Sequence, residues 1–236
     1  MIESVNNKYI KNILKLKQKK YQDKEGLFLV EGKHLVEEAK KSGYLETVIS
    51  TKEESFDNTV IVSENVLKKL SDLKTPSVIG ICRKINNGEI NGKVCILCDL
   101  QDPGNVGTII RSAVAFNIDT IVLTPKCVSI YNSKVIRASE GMIFNQNIII
   151  EDAKTIIEKL KKDDYTIYTT DVNGGTSLED ATFSAKSAVL IGNEGNGVDK
   201  EVSLLADQKI HIKMNANCES LNAAVSASII FYKLNI

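Results

Sequence analysis

The sequence predicts an α/β protein in two domains. A small α/β domain covers residues 1–83, a linker covers 84–93, and a larger domain built on a parallel sheet covers 94–236. Three observations carry this. From Val94 onward, runs rich in Val, Ile and Leu alternate strictly with helical segments, the pattern of a parallel sheet covered on both faces. Residues 84–92 (KINNGEING) are rich in Asn and Gly and lack periodicity, as a linker does. The stretch before them already holds its own alternation of strands and helices, enough for a separate small core.

Residues 7–20 carry Ile10, Leu14 and Leu16 among lysines, an amphipathic helix pattern. Leu27 to Val30 reads as a strand. Glu31 to Ser42 reads as a helix with Leu35, Val36 and Ala39 on one face, stopped by Gly43. Val48-Ile49 and Val60-Ile61-Val62 are strand-like. Ser63 to Leu70 is a helix with Ser63 placed to cap it, and Val78 to Cys82 is a further strand. In the second domain the strands read as 94–99, 119–123, 147–150, 165–170, 187–192 and 209–213. The helices read as 105–116, 133–139, 153–162, 198–205 and 221–233. In such sheets ligands bind beyond the carboxyl ends of the strands.

Charge is balanced, with 30 basic and 30 acidic residues, so the whole molecule is not a polycation. Its distribution is uneven: residues 1–24 hold seven lysines, among them Lys8 and Lys11, against Glu3 and Asp23. That segment is either a solvated helix face or an arm for nucleic-acid phosphates. The five cysteines are odd in number and follow no signal peptide, which fits reduced thiols in a cytoplasm. Cys95 and Cys98 lie three apart on a predicted strand and so face opposite sides, where they cannot clamp one metal; no metal is expected. No apolar run approaches the roughly 18 residues of a membrane span.

Three blocks at strand ends carry the chemistry. The first is Asp102-Pro103-Gly104-Asn105-Val106-Gly107, with Arg111 following. Pro103 and Gly104 predict a tight turn, with Asn105 where a helix cap would stand. Arg111 lies six residues on, roughly 9 Å along a helix axis, within reach of the same loop mouth. Arginine occurs only at positions 83, 111 and 137 in a lysine-rich chain, which favours a role needing the planar donor fork, such as holding a phosphate. A helix salt bridge is the other reading.

The second block is Gly192-Asn193-Glu194-Gly195-Asn196-Gly197, after the strand ending at Ile191. Three glycines in six residues require a sharply bent or closely approached backbone. No Gly-Lys-Ser/Thr follows, so the loop is not a Walker A loop. Glu194 would repel a phosphate and would suit a hydroxyl, an amine or another loop's backbone. The third block is Ser220-Leu221-Asn222. Ser220 reads as the cap of an apolar helix whose small residues Ala223, Ala224, Ser226, Ala227 and Ser228 allow close approach to another surface. His211 alternates with Ile210 and Ile212 and reads as structural.

In order and spacing, these three blocks resemble the motifs of the SpoU family of RNA ribose 2'-O-methyltransferases, in the SPOUT superfamily. Asn132 to Ser139 looks like the segment which that family places between the first two motifs. Asn7-Lys8-x-x-Lys11 and Phe28-Leu29-Val30-Glu31-Gly32 look like the small, ribosomal-protein-like RNA-binding domain often attached to it. Lys213 stands where the family usually has proline, and Asn215-Ala216 replaces a glycine-containing turn. The resemblance implies a methyltransferase domain with a trefoil knot, a homodimer, S-adenosylmethionine as methyl donor, and RNA, ribosomal by preference and transfer RNA as the alternative, as substrate. A non-catalytic RNA-binding protein keeping the fold is the rival from another class.

Carried over residue by residue, the resemblance places the cofactor against Gly192, Ile212, Met214, Ser220 and Leu221, with Thr170 a weaker candidate. It assigns Asn105, Arg111, Glu194, Ser220 and Asn222 to catalysis. Arg111 would bind the phosphate beside the target ribose, and Lys8, Lys11 and Arg137 would join it in holding RNA.

Overall fold

A computed structural model describes residues 1–86, 88–172 and 174–236 of the chain; Asn87, within the 84–93 linker, lies outside the described residues. The chain divides into two compact units. One holds Met1–Asn86 together with Ser129–Asn145, and the other holds residues 88–128 with Gln146–Ile236.

The first unit opens with α1 (Lys8–Lys15) and α2 (Lys19–Glu25), then β1 (Leu27–Glu31), α3 (Lys33–Lys41), β2 (Leu45–Ser50), β3 (Thr59–Ile61), α4 (Glu64–Leu70) and β4 (Val78–Arg83). The sheet order is β1-β4-β2-β3, with β4 antiparallel to both β1 and β2, and β3 parallel to β2. Ile10, Ile13 and Leu16 from the first helix pack with Val66, Leu67 and Leu70 from α4 over Ile49, Ile79 and Ile81 of the sheet. Burying each of these aliphatic side chains contributes about 1.5–3 kcal/mol.

The single helix expected over 7–20 is two helices. The amides of Leu16 and Gln18 bond three residues back, to Ile13 and Lys15, which tightens and ends the first helix. The side chain of Gln22 then takes the freed Leu16 carbonyl at 2.8 Å. Asn7 caps α1 by accepting from the Tyr9 amide at 2.8 Å, and Ser63 caps α4 as expected. The segment Ser129–Asn145, which carries the helix equivalent to predicted 133–139, packs within this unit. Tyr131 lies 4.7 Å from Phe28, and Phe144 stacks on Phe28 and Tyr44.

The second unit follows as β5 (Val94–Leu97), α5 (Pro103–Ala115) and β6 (Thr120–Leu123). After α6 (Ser133–Ala138), in the first unit, come β7 (Asn147–Ile150), α7 (Ala153–Lys162), β8 (Thr166–Thr170), β9 (Thr176–Ser177), β10 (Ser187–Ile191), α8 (Lys200–Ser203), β11 (Gln208–His211) and α9 (Ala223–Asn235). Every pairing among these strands is parallel, in the order β7-β6-β5-β10-β8-β11-β9. Alternation decides the two faces. Val94, Ile96 and Cys98 pack with Ile156, Ile157 and Leu160 of α7, while Cys95 and Leu97, one residue out of step, are buried on the other side.

Two elements differ from expectation. The helix expected over 198–205 has only four residues, because Asp199 caps it and its amides soon revert to three-residue bonds. The two-residue strand β9 was not expected. It follows Gly174 and Gly175, whose φ values of 83° and 78° let the chain turn against β11. No described helix is long and apolar enough to cross a membrane.

Candidate active site

The carboxyl ends of β8, β10 and β11 open into a cavity of about 850 Å³. That falls within the roughly 300–1,000 Å³ of small-molecule sites. Its wall mixes apolar and polar residues, among them Thr170, Ile191 to Val198, Ile210 to Ile212, Met214 and Glu219 to Leu221. Gly192, Ile212, Met214, Ser220 and Leu221, the five residues expected at a cofactor, all line it, and so does Thr170.

Gly192 explains why the second block needs glycine. A Cβ there would lie 2.1 Å from the Gly197 carbonyl carbon and 2.2 Å from the Val198 amide nitrogen. Asn193 and Gly197 exchange backbone hydrogen bonds of 3.0 and 2.9 Å, closing the loop, and Gly197 takes a φ of 67°. The Asn193 side chain donates to the Asp99 carbonyl at 2.9 Å. Asp99 itself sits at a φ of 57°, unusual for a residue with a Cβ, and its amide and carboxylate both bond Thr124.

The cap of α5 is Asp102, not Asn105. Its carboxylate accepts from the Asn105 amide at 2.8 Å, with Pro103 in the first helical turn. This releases the Asn105 side chain, 8% exposed, for another task. Likewise the cap of α9 is Asn222, not Ser220: its oxygen accepts from Ala224 and Val225 amides at 2.9 and 3.3 Å. The Asn222 amide nitrogen therefore points away from the helix and donates to the Asn105 oxygen at 2.8 Å. The Asn105 nitrogen is then left to donate to Glu194 Oε1 at 2.9 Å. The two amides can be oriented only one way, because the helix cap sets the first. Ser220 has no side-chain hydrogen bond among the described residues and is exposed at the cavity wall.

Glu194 is the end of this relay. Burial raises its pKa, but hydrogen bonds from Asn105 and from the amides of Glu194, Asp102 and Gln101 outweigh burial and hold it below the ordinary value. It is thus a carboxylate at neutral pH, fixed by neutral donors.

Arg111 is not drawn into the relay. Six residues at 100° per residue carry it about 120° round α5 from Asn105. It is exposed and has no hydrogen bond or ion pair among the described residues, so its donor fork is free. Lys8 and Lys11 are exposed on α1. Arg137, on α6, is half-buried with one guanidinium nitrogen lacking a hydrogen-bond partner. Asp102 and Asn193 are the site residues that sequence reasoning missed as working side chains. The Asp-Pro pair at a helix start was the available signal for the first. Asp171 and Lys209, paired at 2.8 Å on the cavity wall, had none, since one follows β8 and the other lies in β11, 38 residues on. Among the described residues no cluster of His, Cys, Asp and Glu could hold a metal ion.

This geometry can be set beside known proteins. Residues 92–232 match the SpoU rRNA Methylase family, and residues 7–80 match an MRM3-like substrate binding domain. The chain is 32% identical to the 23S rRNA (guanosine(2553)-2'-O)-methyltransferase RlmP of Bacillus subtilis (strain 168), over 99% of this chain and 98% of that protein. The fold superposes on the AdoMet-bound rRNA methyltransferase of Sinorhizobium meliloti with a TM-score of 0.89 at 25% identity, over 99% of this chain and 96% of the other. An RNA 2'-O ribose methyltransferase structure matches with a TM-score of 0.84 at 25% identity, over 99% of this chain and 97% of the other. The family match covers more than half of the chain and the relationship to RlmP runs end to end. The chain belongs to the SpoU rRNA methylase family.

Proposed function

We propose that this protein transfers the methyl group of S-adenosylmethionine to a ribose 2'-hydroxyl of ribosomal RNA. The observation that carries this is the relay Asn222 to Asn105 to Glu194, which ties all three sequence blocks together beside the cavity. The family, the end-to-end similarity to RlmP and the AdoMet-bound relative supply the reaction, substrate and cofactor.

The cavity fits the cofactor on its own chemistry. Its volume suits a nucleoside joined to an amino acid, and Gly192, where a Cβ would strike the Gly197–Val198 backbone, keeps the loop on its wall tightly closed. Gly192, Ile212, Met214, Ser220 and Leu221 would hold it, chiefly through backbone groups, with Thr170 beside them. When bound, S-adenosylmethionine supplies an electrophilic methyl on sulfur.

The protein's own groups prepare the acceptor. Arg111 holds the phosphate beside the target ribose with its free fork. Its pKa above about 12 favours that positioning over proton acceptance. Asn105, fixed from both sides, orients the ribose, and Glu194, Ser220 and Asn222 order the loop around it. Alignment of this kind can supply much of the barrier reduction. Lys8 and Lys11, from a substrate-binding domain over 1–83 joined by the 84–93 linker to the methyltransferase domain over 94–236, bind RNA through phosphate, and Arg137 of α6 does the same.

Two architectural features complete the reading. The first is a trefoil knot in the C-terminal part, as the resemblance to the SpoU family implies. The second is a homodimer through α9. That helix is apolar on nearly every side, and Val225, Ile229, Tyr232 and Ile236 form an exposed stripe along it. The setting is the cytoplasm.

The test is transfer of labelled methyl from S-adenosylmethionine to total RNA lacking its native modification, followed by nuclease digestion. The expected label is one 2'-O-methyl nucleotide of ribosomal RNA. Label confined to transfer RNA overturns the substrate, and label on a base overturns the reaction.

A further inference from the structure

The first unit has a cavity of its own, of about 150 Å³, lined by none of the three motif blocks but reaching Asn132 and Ser133. Water occupies about 30 Å³ per molecule, and whole-ligand sites begin near 300 Å³, so the space exceeds a single ordered water yet admits no complete nucleotide. A single planar ring system is the scale it suits. Leu16 and Leu29 give it apolar wall, and Lys17, Gln22 and Asp72 give it polar groups.

Gln22 is the decisive residue. It is 6% exposed, and both hydrogens of its amide are spent on backbone carbonyls, those of Leu16 at 2.8 Å and Tyr131 at 3.3 Å. Two carbonyl partners fix which end of the amide is nitrogen. Its oxygen accepts no hydrogen bond among the described residues, and it is not sealed from solvent, so it opens to the cavity. A ligand that donates to this fixed oxygen takes the place of water there.

The rim adds acceptors and a donor. Asp72 accepts from Lys17 at 2.8 Å and from Ser133 at 3.2 Å, leaving lone pairs free on both oxygens. The Lys17–Asp72 pair is partly exposed, at 30% and 45%, so its members can be shared with an incoming group at little cost. Tyr131 offers no stacking face: Phe28 packs 4.7 Å away and the Lys84 ammonium lies 4.6 Å over the ring. Recognition here therefore runs through the edge of the ligand.

We infer that this cavity takes one unpaired guanine base of the RNA substrate. Guanine presents a ring N–H and an amino group side by side, matching the Gln22 oxygen and the Asp72 carboxylate, and a carbonyl beside them for the Lys17 ammonium. Uracil presents one N–H between two carbonyls and leaves an acceptor unmatched. RNA-binding proteins read single-stranded bases on these same edges. The lysines of α1 and α2 stand nearby for the flanking phosphates, with Lys20 unpaired among the described residues. The inference rests on RNA being the substrate, but not on methyl transfer.

The test uses the full chain and fluorescently labelled eight-residue RNAs: all uridine, one central guanosine, and one central inosine, which lacks the amino group. Fluorescence anisotropy should give about tenfold tighter binding of the guanosine oligomer than of all-uridine, with inosine between. Asp72→Asn and Gln22→Met should each reduce the preference to under twofold while the salt-dependent binding of all-uridine persists. Asp72→Asn lies at the rim and keeps the test open if the buried Gln22 variant does not fold. Equal binding of the three oligomers by the wild-type chain, or a preference that survives Asp72→Asn, overturns the proposal. A chain with this preference but no methyl transfer would keep the base site and lose the proposed activity, and the converse result would do the reverse.

Discussion

The Asn222 side chain donates to the Asn105 oxygen at 2.8 Å across 117 residues of chain. Because Asn222 spends its own oxygen on capping α9, the helix start dictates the orientation of Asn105, and Asn105 in turn dictates which atom meets Glu194. Helix capping, worth about 1 kcal/mol locally, is thereby coupled to the placement of a carboxylate on the cavity wall. The three sequence blocks are one hydrogen-bonded object.

Gly192→Ala should weaken cofactor binding. The added carbon would meet backbone at 2.1 Å, which no rotamer can relieve, so the 193–197 loop must move. Calorimetric titration with S-adenosylmethionine should show affinity reduced at least about tenfold, since even one displaced hydrogen-bonded contact costs about 1.4 kcal/mol. Unchanged affinity would remove this loop from the site.

Arg111→Ala should separate stability from activity. The side chain is exposed and has no partner among the described residues, so unfolding free energy should change by less than about 0.5 kcal/mol. Methyl transfer to ribosomal RNA should fall by roughly 10²-fold or more, and Arg111→Lys should not restore it, because a point charge lacks the planar fork. Full activity in the lysine variant would contradict the phosphate role.

Acid should weaken the relay. The Glu194 pKa is held below its ordinary 4.5, so its contribution is complete above that pH and is lost as pH falls through the lower folded value. Urea unfolding at pH 6 should find Glu194→Gln less stable than wild type. As pH falls below 4.5 the gap should narrow, because the unfolded chain then binds the proton first and the folded carboxylate follows lower down. A gap that stays constant would mean that the charge contributes nothing to stability.

Ile229→Arg should yield a monomer. Ile229 is 39% exposed in the middle of the apolar stripe of α9, and a charge there would have to be desolvated in any paired surface. Sedimentation velocity should show wild type near twice the 26.0 kDa chain mass and the variant near the chain mass. Identical sedimentation of the two would rule out α9 as the interface.

Much of the fold was legible because the parallel strands are buried on both faces. Runs such as Val94–Leu97 and Ser187–Ile191 are then continuous apolar text. The site was legible as residue types at strand ends, but not as contacts. Asn105 and Ser220 each lie within three residues of the true cap, Asp102 or Asn222, and asparagine, aspartate and serine cap helices about equally well, so type alone could not choose among them. Position in space decided it: Asn105 is buried where a long-range partner reaches it, and that partner is 117 residues away. The break between α1 and α2 was hidden for the same reason, since it depends on Gln22 folding back onto the Leu16 carbonyl. The packing of Ser129–Asn145 with the first unit rests on aromatic contacts between segments about a hundred residues apart, which no local period records.

The most direct measurement is the methyl-transfer rate in a double-mutant cycle of Asn222→Asp and Glu194→Gln. Asn222→Asp keeps the cap but turns Asn105 around, so that its oxygen faces the Glu194 carboxylate, and the rate should collapse. Adding Glu194→Gln supplies a donor to that oxygen and restores the relay with its direction reversed. The double variant should therefore be at least about tenfold faster than Asn222→Asp alone, a coupling of roughly 1.4 kcal/mol. If the two losses simply multiply, Asn222, Asn105 and Glu194 do not act as one unit.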